Sequence, residues 1–318
     1  MKGLKPMQHT LNDGKWKWHD FQEGQASELN EITAKYPTCN NWYNNIKGNQ
    51  ANFLQLNTQT KGEEYIWGSL IYRQDIEEKH EKNIFHFYIS KEFFITIDFD
   101  FTVLNCNPES VQKQMEQAEN GVEGFFILLG EILLNYLRKI DEYEEQLHDL
   151  LWKMKEQNNL EILEKVYENR HELLIWRNLL IPITELKYIA EEAYGSDINK
   201  MSEFSRVATR IERIQMLLNA YQQEIDTMIN LEEVVSTHRG NEIMKTLTVM
   251  TVLFTPVMAW GALWGMNFKV MPELEWKLGY AMAAALILVS TVGLYIYLRM
   301  KGWMGDILKG RKKNSFFK

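Results

Sequence analysis

Cysteine is nearly absent from this chain. Cys39 and Cys106 are the only two in 318 residues, far apart and outside any CxxC spacing. That excludes a disulfide framework and a thiolate zinc site, and it fits a reducing compartment. Enzyme signatures are missing too: there is no phosphate loop, no GxGxxG and no HExxH. The seven histidines, His9, His19, His80, His86, His148, His171 and His238, show no metal-ligand spacing. The sequence therefore reads as a protein that is not an enzyme. The first 20 residues hold no apolar run of the kind that opens a secretory signal. A large N-terminal part that stays in the cytoplasm is the expectation.

Charge is unevenly spread. From Gly240 onward there are 10 Lys and Arg against 4 Asp and Glu, a net +6; the chain total is −8, so residues 1–239 carry −14. An acidic body of this kind suits a cation as partner, or simple solvation, and argues against nucleic acid.

A mean hydropathy of −0.35 makes most of the chain water-soluble. Two stretches depart from that. The first is uncharged from Thr246 to Phe268, and the second from Leu278 to Leu298. Each has about the 20 residues needed to cross a hydrocarbon core roughly 30 Å thick. A short polar turn joins them, as in a membrane hairpin. The tail after Leu298 carries Arg299, Lys301, Lys309, Arg311, Lys312, Lys313 and Lys318 against Asp306 alone. By the positive-inside rule this end is cytoplasmic, so both termini are inside and the turn faces out.

The rest follows in order. Residues 1 to about 105 predict a mixed α and β domain. Lys61–Asp75 is rich in aromatic and β-branched residues, and Asn83–Asp100 predicts a hairpin turning at Ser90, Lys91 and Glu92. Asp98 and Asp100 then fall on one face of a strand, as a solvated strand end or a cation site. Pro108 after Asn105–Asn107 predicts a helix start. From Glu109 the pattern is helical. One amphipathic helix covers Phe125–Lys155, Gln157–Asn159 is a turn, and a second helix runs from Leu160 to about Ala193. Pro182 should kink it. Gly195 is a C-cap candidate.

The last soluble helix starts near Ser202, with a stripe of Phe204, Val207, Ile211, Ile214, Leu217 or Leu218, Tyr221, Ile225, Met228 and Leu231. No proline or glycine interrupts it before Gly240. Run on to Trp264 it would reach about 95 Å, a length that implies packing against copies of itself; a break at Gly240 is the alternative. Within the first crossing Met244, Leu247, Thr251, Thr255, Met258 and Ala262 share one face, suited to helix packing or to a pore wall. Pro256 should bend the helix.

Gly265-Met266-Asn267 ends the first crossing, and Met271-Pro272-Glu273-Leu274 follows in the turn. With Asn241–Lys245, Leu247-Thr248, Phe254, Pro256 and Trp276, this arrangement resembles the CorA family of magnesium channels. Trp176–Pro182 is similar to a further family segment. The resemblance implies an α+β cytosolic domain followed by a long stalk helix and two transmembrane helices, assembled as a homopentameric funnel in the cell membrane. The domains would be 1–108, an N-terminal cytosolic α/β domain; 109–200, a helical hairpin region; 201–264, the stalk continuing into the first transmembrane helix over about 245–264; 265–276, the outer loop; 277–298, the second transmembrane helix; and 299–318, a basic cytosolic tail. Its partners are other copies of itself and membrane lipid.

The resemblance also implies roles. Gly265, Met266 and Asn267 would form the outer mouth and select hydrated Mg²⁺, with Co²⁺ and Ni²⁺ as candidate further cargo. Met244 and Leu247 match the family's hydrophobic gate, and Thr251, Thr255 and Met258 the pore wall. Mg²⁺ would also regulate, through acids of the stalk. Arg206 and Asn230 stand where relatives often carry acids, leaving Glu203, Asp226 and Glu232 as regulatory candidates. Trp264 replaces a usual Tyr, Thr255 a bulkier apolar residue, and Lys269 neutralises a loop that is often acidic. A same-fold carrier of Zn²⁺, or a membrane-anchored coiled-coil scaffold, are the rival readings.

Overall fold

The computed structural model describes residues 7–22, 25–60, 62–156 and 160–303. It divides into two compact units: Met1–Leu151 with Leu163–Asp226, and Trp152–Ile162 with Thr227–Lys318.

The first unit holds a six-stranded sheet in the order β1-β2-β6-β5-β4-β3. The strands are β1 (Met7–Leu11), β2 (Trp16–Phe21), β3 (Phe53–Asn57), β4 (Tyr65–Gln74), β5 (Lys82–Ile89) and β6 (Phe93–Ile97). All pairs are antiparallel except β2 with β6, which are parallel with Trp18 beside Phe94. The hairpin expected around Ser90–Glu92 is β5–β6, in register at Ile89 and Phe94.

The alternation of apolar residues sends them to both faces. On one face Phe93, Ile95, Ile97 and Tyr88 pack with Leu29 of α1 (Ala26–Lys35) and with Cys39, Trp42 and Ile46 of α2 (Cys39–Ile46). On the other, Phe87 and Phe94 meet Phe125 at 5.0 and 5.8 Å between ring centroids. Phe125 belongs to α4 (Gly121–Glu156), which follows α3 (Pro108–Met115). Asn107 caps α3 by accepting from the Glu109 N–H, with Pro108 in the first turn as expected. At the start of α4 the Gly121 N–H donates to the Lys91 carbonyl at 2.8 Å, and a Cβ there would lie 2.7 Å from the Ser90 carbonyl. Only glycine lets the helix approach the hairpin turn so closely.

Asp98 and Asp100 do not share a strand face. β6 ends at Ile97, and Asp98 takes a left-handed φ of 63° while its N–H donates to the Phe21 carbonyl. Asp100 instead caps a 3₁₀ turn, Phe101–Leu104, through the Thr102 N–H.

Three long helices follow the sheet: α4, α5 (Leu160–Tyr194) and α6 (Ser202–Trp264). α5 continues through Pro182, and Gly195 ends it with φ +60°. The turn expected at residues 157–159 lies outside the described residues. α6 is continuous through Gly240, which removes the two-helix alternative. Its stripe from Phe204 to Met228 is buried as expected, against Phe126 and Tyr143 of α4 among others. Leu231 is the exception and is exposed.

Candidate functional site

The second unit carries the membrane hairpin. α6 and α8 (Gly279–Met300) are the two described helices long and apolar enough to cross a membrane. They pack through Val249 and Leu298, surrounded by Val252, Leu253 and Tyr295. Pro256 is buried on the same face of α6. At 3.6 residues per turn, Met244, Leu247, Thr251, Thr255, Met258 and Ala262 fall on the opposite face. All six are exposed: Met244 is 62 % exposed and Leu247 58 %, against 5 % for Val249. The helix thus spends one apolar face on α8 and leaves the other unpartnered within the chain.

The threonines along this segment donate their hydroxyls one turn back: Thr246 to Glu242 at 2.8 Å, Thr248 to Met244 at 2.7 Å, Thr251 to Leu247 at 2.8 Å and Thr255 to Thr251 at 2.9 Å. Each hydroxyl proton is therefore satisfied within the helix, so the polar residues cost little in an apolar setting.

At its far end α6 closes with the Gly265 N–H on the Gly261 carbonyl at 2.9 Å, after which Phe268 N–H turns back to the Met266 carbonyl at 3.1 Å. Trp260 and Trp264 stack at 5.4 Å just below. Met266 and Asn267 are exposed, and the Asn267 carboxamide makes no hydrogen bond with the described residues. Met271 and Pro272 open a short helix, α7 (Pro272–Glu275), whose first turn fits proline. The side chains of Glu273 and Leu274 lie outside the description. Aromatics mark both ends of the hairpin: Trp276 and Tyr280 at one, Tyr297 and Trp303 at the other, all exposed, as interfacial belts require.

The three regulatory candidates do not converge. Along one helix Glu203 and Asp226 are about 35 Å apart, and Asp226 and Glu232 about 9 Å. No cluster of three or more metal-ligating side chains occurs among the described residues. Glu203 pairs with Arg206, and Asp226 lies 3.4 Å from Arg170 and accepts from Gln222 at 3.1 Å. Sequence reasoning missed both arginine partners. The i, i+3 spacing of Glu203 and Arg206 was the available signal for one; Arg170 comes from another helix and left none.

Two neighbours on β2 are displaced in opposite directions. Burial pushes the Asp20 carboxyl up to about 6; the Thr96 hydroxyl, donating to it at 2.7 Å, opposes this, and Asp98 reinforces it. Burial holds the neighbouring His19 down at about 4, helped by Lys35 and Lys17.

A family model described as CorA-like Mg2+ transporter protein matches residues 13–300. The magnesium transport protein CorA of Bacillus subtilis is 41% identical over 310 residues, 96% of each chain. The cobalt/magnesium transport protein CorA of Thermotoga maritima is 22% identical over 181 residues, 56% of this chain and 52% of that one. The solved CorA magnesium transporter of Methanocaldococcus jannaschii shares the fold, with a TM-score of 0.66, 18% identity and 93% of each chain covered. The chain therefore belongs to the CorA-like Mg2+ transporter family, whose members are membrane transport proteins and not enzymes.

Proposed function

We propose that the chain is one subunit of a homopentameric channel that carries hydrated Mg²⁺ into the cell, with Co²⁺ and Ni²⁺ as further cargo. The observation that carries this reading is the unpartnered α6 face from Met244 to Ala262, which ends at the exposed Asn267. Five copies of that face turned inward make a pore wall, and five Asn267 carboxamides ring its outer mouth. Mg²⁺ dehydrates reluctantly and demands octahedral oxygen ligands. Neutral amide oxygens accept hydrogen bonds from the ion's own waters without stripping them. They also bind weakly enough to release the ion. The inside-negative potential, about 2.3 kcal/mol per charge per 100 mV, drives it inward.

In this reading Met244 and Leu247 are the gate, because rings of such side chains close a pore by dewetting. Thr251, Thr255 and Met258 line the wall, and Met271–Leu274 brace the mouth from the outer loop. The α/β domain and helical hairpin lie in the cytoplasm with both termini. Cytosolic Mg²⁺ closes the channel through stalk acids, of which Glu203 and Asp226 must first leave their arginines. Zn²⁺ as cargo of the same fold is an outcome of the same test.

The test is cation uptake into liposomes holding the purified chain, wild type against Asn267→Ala. Mg²⁺ flux should be lost in the variant. Unchanged flux would sink the assigned mouth. A flux of Zn²⁺ alone would transfer the reading to that ion, and no flux in either protein, with oligomers intact, would leave a membrane scaffold.

A further inference from the structure

The α6 face that carries Met244 to Ala262 does not end at Met244. Followed toward the start of the helix at 3.6 residues per turn, it passes through Gly240, Thr237, Glu233 and Asn230. Glu233 stands eleven residues before Met244. That is about three turns, roughly 16 Å along the axis, and within about 20° of Met244 around it. All four residues are exposed, and all belong to the same compact unit as the membrane hairpin. The face changes character at Met244, and on the side toward Asn230 these four offer it no apolar side chain.

Glu233 is the one charged residue on this face from Asn230 to Asn267. Glu232, His238, Arg239, Glu242 and Lys245 all fall on other sides of the helix. Its carboxylate makes no hydrogen bond or ion pair with the described residues. The helix itself supplies no cation, because the residues three and four away are Ile229, Asn230, Ser236 and Thr237. Other acids of α6 are matched within a turn: Glu203 pairs with Arg206, and Glu242 lies 3.6 Å from the His238 ring.

We propose that Glu233 draws the permeating cation past the gate, as a ring of carboxylates on the cytoplasmic side of Met244. The proposal rests on the channel reading and deepens it. With the Met244 face turned inward in each copy, the Glu233 carboxylates face the same axis. Rings of acidic side chains select and concentrate cations in this way. Their mutual repulsion is relieved by a divalent ion among them. Mg²⁺ keeps its waters, and the carboxylates accept hydrogen bonds from that shell, so the ion is attracted without being trapped. An acid that is merely solvated on the outside of the assembly has no such effect on flux.

The experiment measures Mg²⁺ uptake into liposomes holding the full chain as wild type, Glu233→Gln, Glu233→Asp or Glu224→Gln. The last removes the same charge from an exposed position of α6 far from this face. Glu233→Gln should lower uptake about tenfold at low ionic strength, and the gap should close in about 1 M monovalent salt, where charges are screened within about 3 Å. Glu233→Asp should keep most of the flux, and Glu224→Gln all of it. Unchanged uptake in Glu233→Gln, an equal loss in Glu224→Gln, or a gap that salt does not close would each overturn the role. A second measurement needs no flux: Glu233→Cys copies should be joined by a short thiol-reactive cross-linker well above the wild-type level set by Cys39 and Cys106. Intact oligomers that do not cross-link would overturn the ring. Wild type without flux would defeat the channel reading and this inference with it. Flux lost in Asn267→Ala but untouched in Glu233→Gln would defeat this inference alone.

Discussion

Arg170 of α5 reaches Asp226 of α6, 56 residues further along the chain, with 3.4 Å between guanidinium and carboxylate. The pair places a protein cation where magnesium feedback would need a divalent one. Both side chains are near half exposed, so the pair is worth only about 0.2–1 kcal/mol. Arg170→Gln should free Asp226 and lower the Mg²⁺ needed to protect the stalk from protease by about two- to fivefold. A protection midpoint that stays put, or rises, would remove Asp226 from the regulatory set.

Leu247 is 58 % exposed on the α6 face away from α8. Leu247→Asn puts an amide where the proposed gate must dewet. Basal Mg²⁺ uptake should rise about tenfold, since a loss of only about 1.4 kcal/mol of barrier has that effect. Uptake into liposomes with high internal Mg²⁺ is the measurement. Unchanged uptake there, with uptake still lost in Asn267→Ala, would move the gate elsewhere.

His19 and Asp20 are neighbours on β2 with opposite responses to acid. The folded Asp20 holds its proton up to about pH 6, whereas an unfolded one titrates near 3.8, so its contribution to stability grows as pH falls through that window. The folded His19 stays neutral down to about 4, whereas an unfolded one protonates near 6.5, so its contribution is lost as pH falls from 6.5 to 4. The two trends offset each other. Asp20→Asn should raise stability at pH 7 by on the order of 2 kcal/mol and expose the histidine's loss on acidification. Urea midpoints at pH 4.5, 5.5 and 7 compare the profiles; parallel curves for variant and wild type would refute the pairing.

Two glycines give opposite expectations for the same substitution. A Cβ at Gly124 would lie 2.3 Å from the Trp16 ring, while at Gly240, inside α6, it meets nothing within 4 Å. Gly124→Ala should cost about 1–3 kcal/mol by overpacking, and Gly240→Ala should gain about 1 kcal/mol of helix propensity. Denaturation midpoints moving in the same direction for both would contradict this packing.

What the sequence made legible follows from the range of each interaction. The β5–β6 hairpin, the cap at Asn107 and the three long helices rest on neighbours within a few residues, and periodicity reads those. The two membrane helices stand out by length and composition. The parallel pairing of β2 with β6 joins residues 76 apart, as between Trp18 and Phe94, and no local pattern announces it. Asp98 and Asp100 continued the alternation of β6 on paper. The chain leaves the strand after Ile97 because Asp98 turns into the left-handed region, at φ 63°, which breaks the alternation. The stripe from Met244 to Ala262 was visible in the sequence; that it faces away from α8 became apparent only from the packing of Val249 on Leu298. For Glu203 and Asp226, charge and position were legible, and their arginine partners were not.

The threonine hydroxyls of the first crossing have one more consequence. Thr251 and Thr255 turn their protons inward to the Leu247 and Thr251 carbonyls. Toward the open face they present only oxygen lone pairs. Chloride travelling along such a wall would find no O–H donor to replace its lost water, while the waters around a cation would find acceptors at each turn. If this face lines the proposed pore, discrimination by sign of charge is built into an uncharged surface, without a carboxylate.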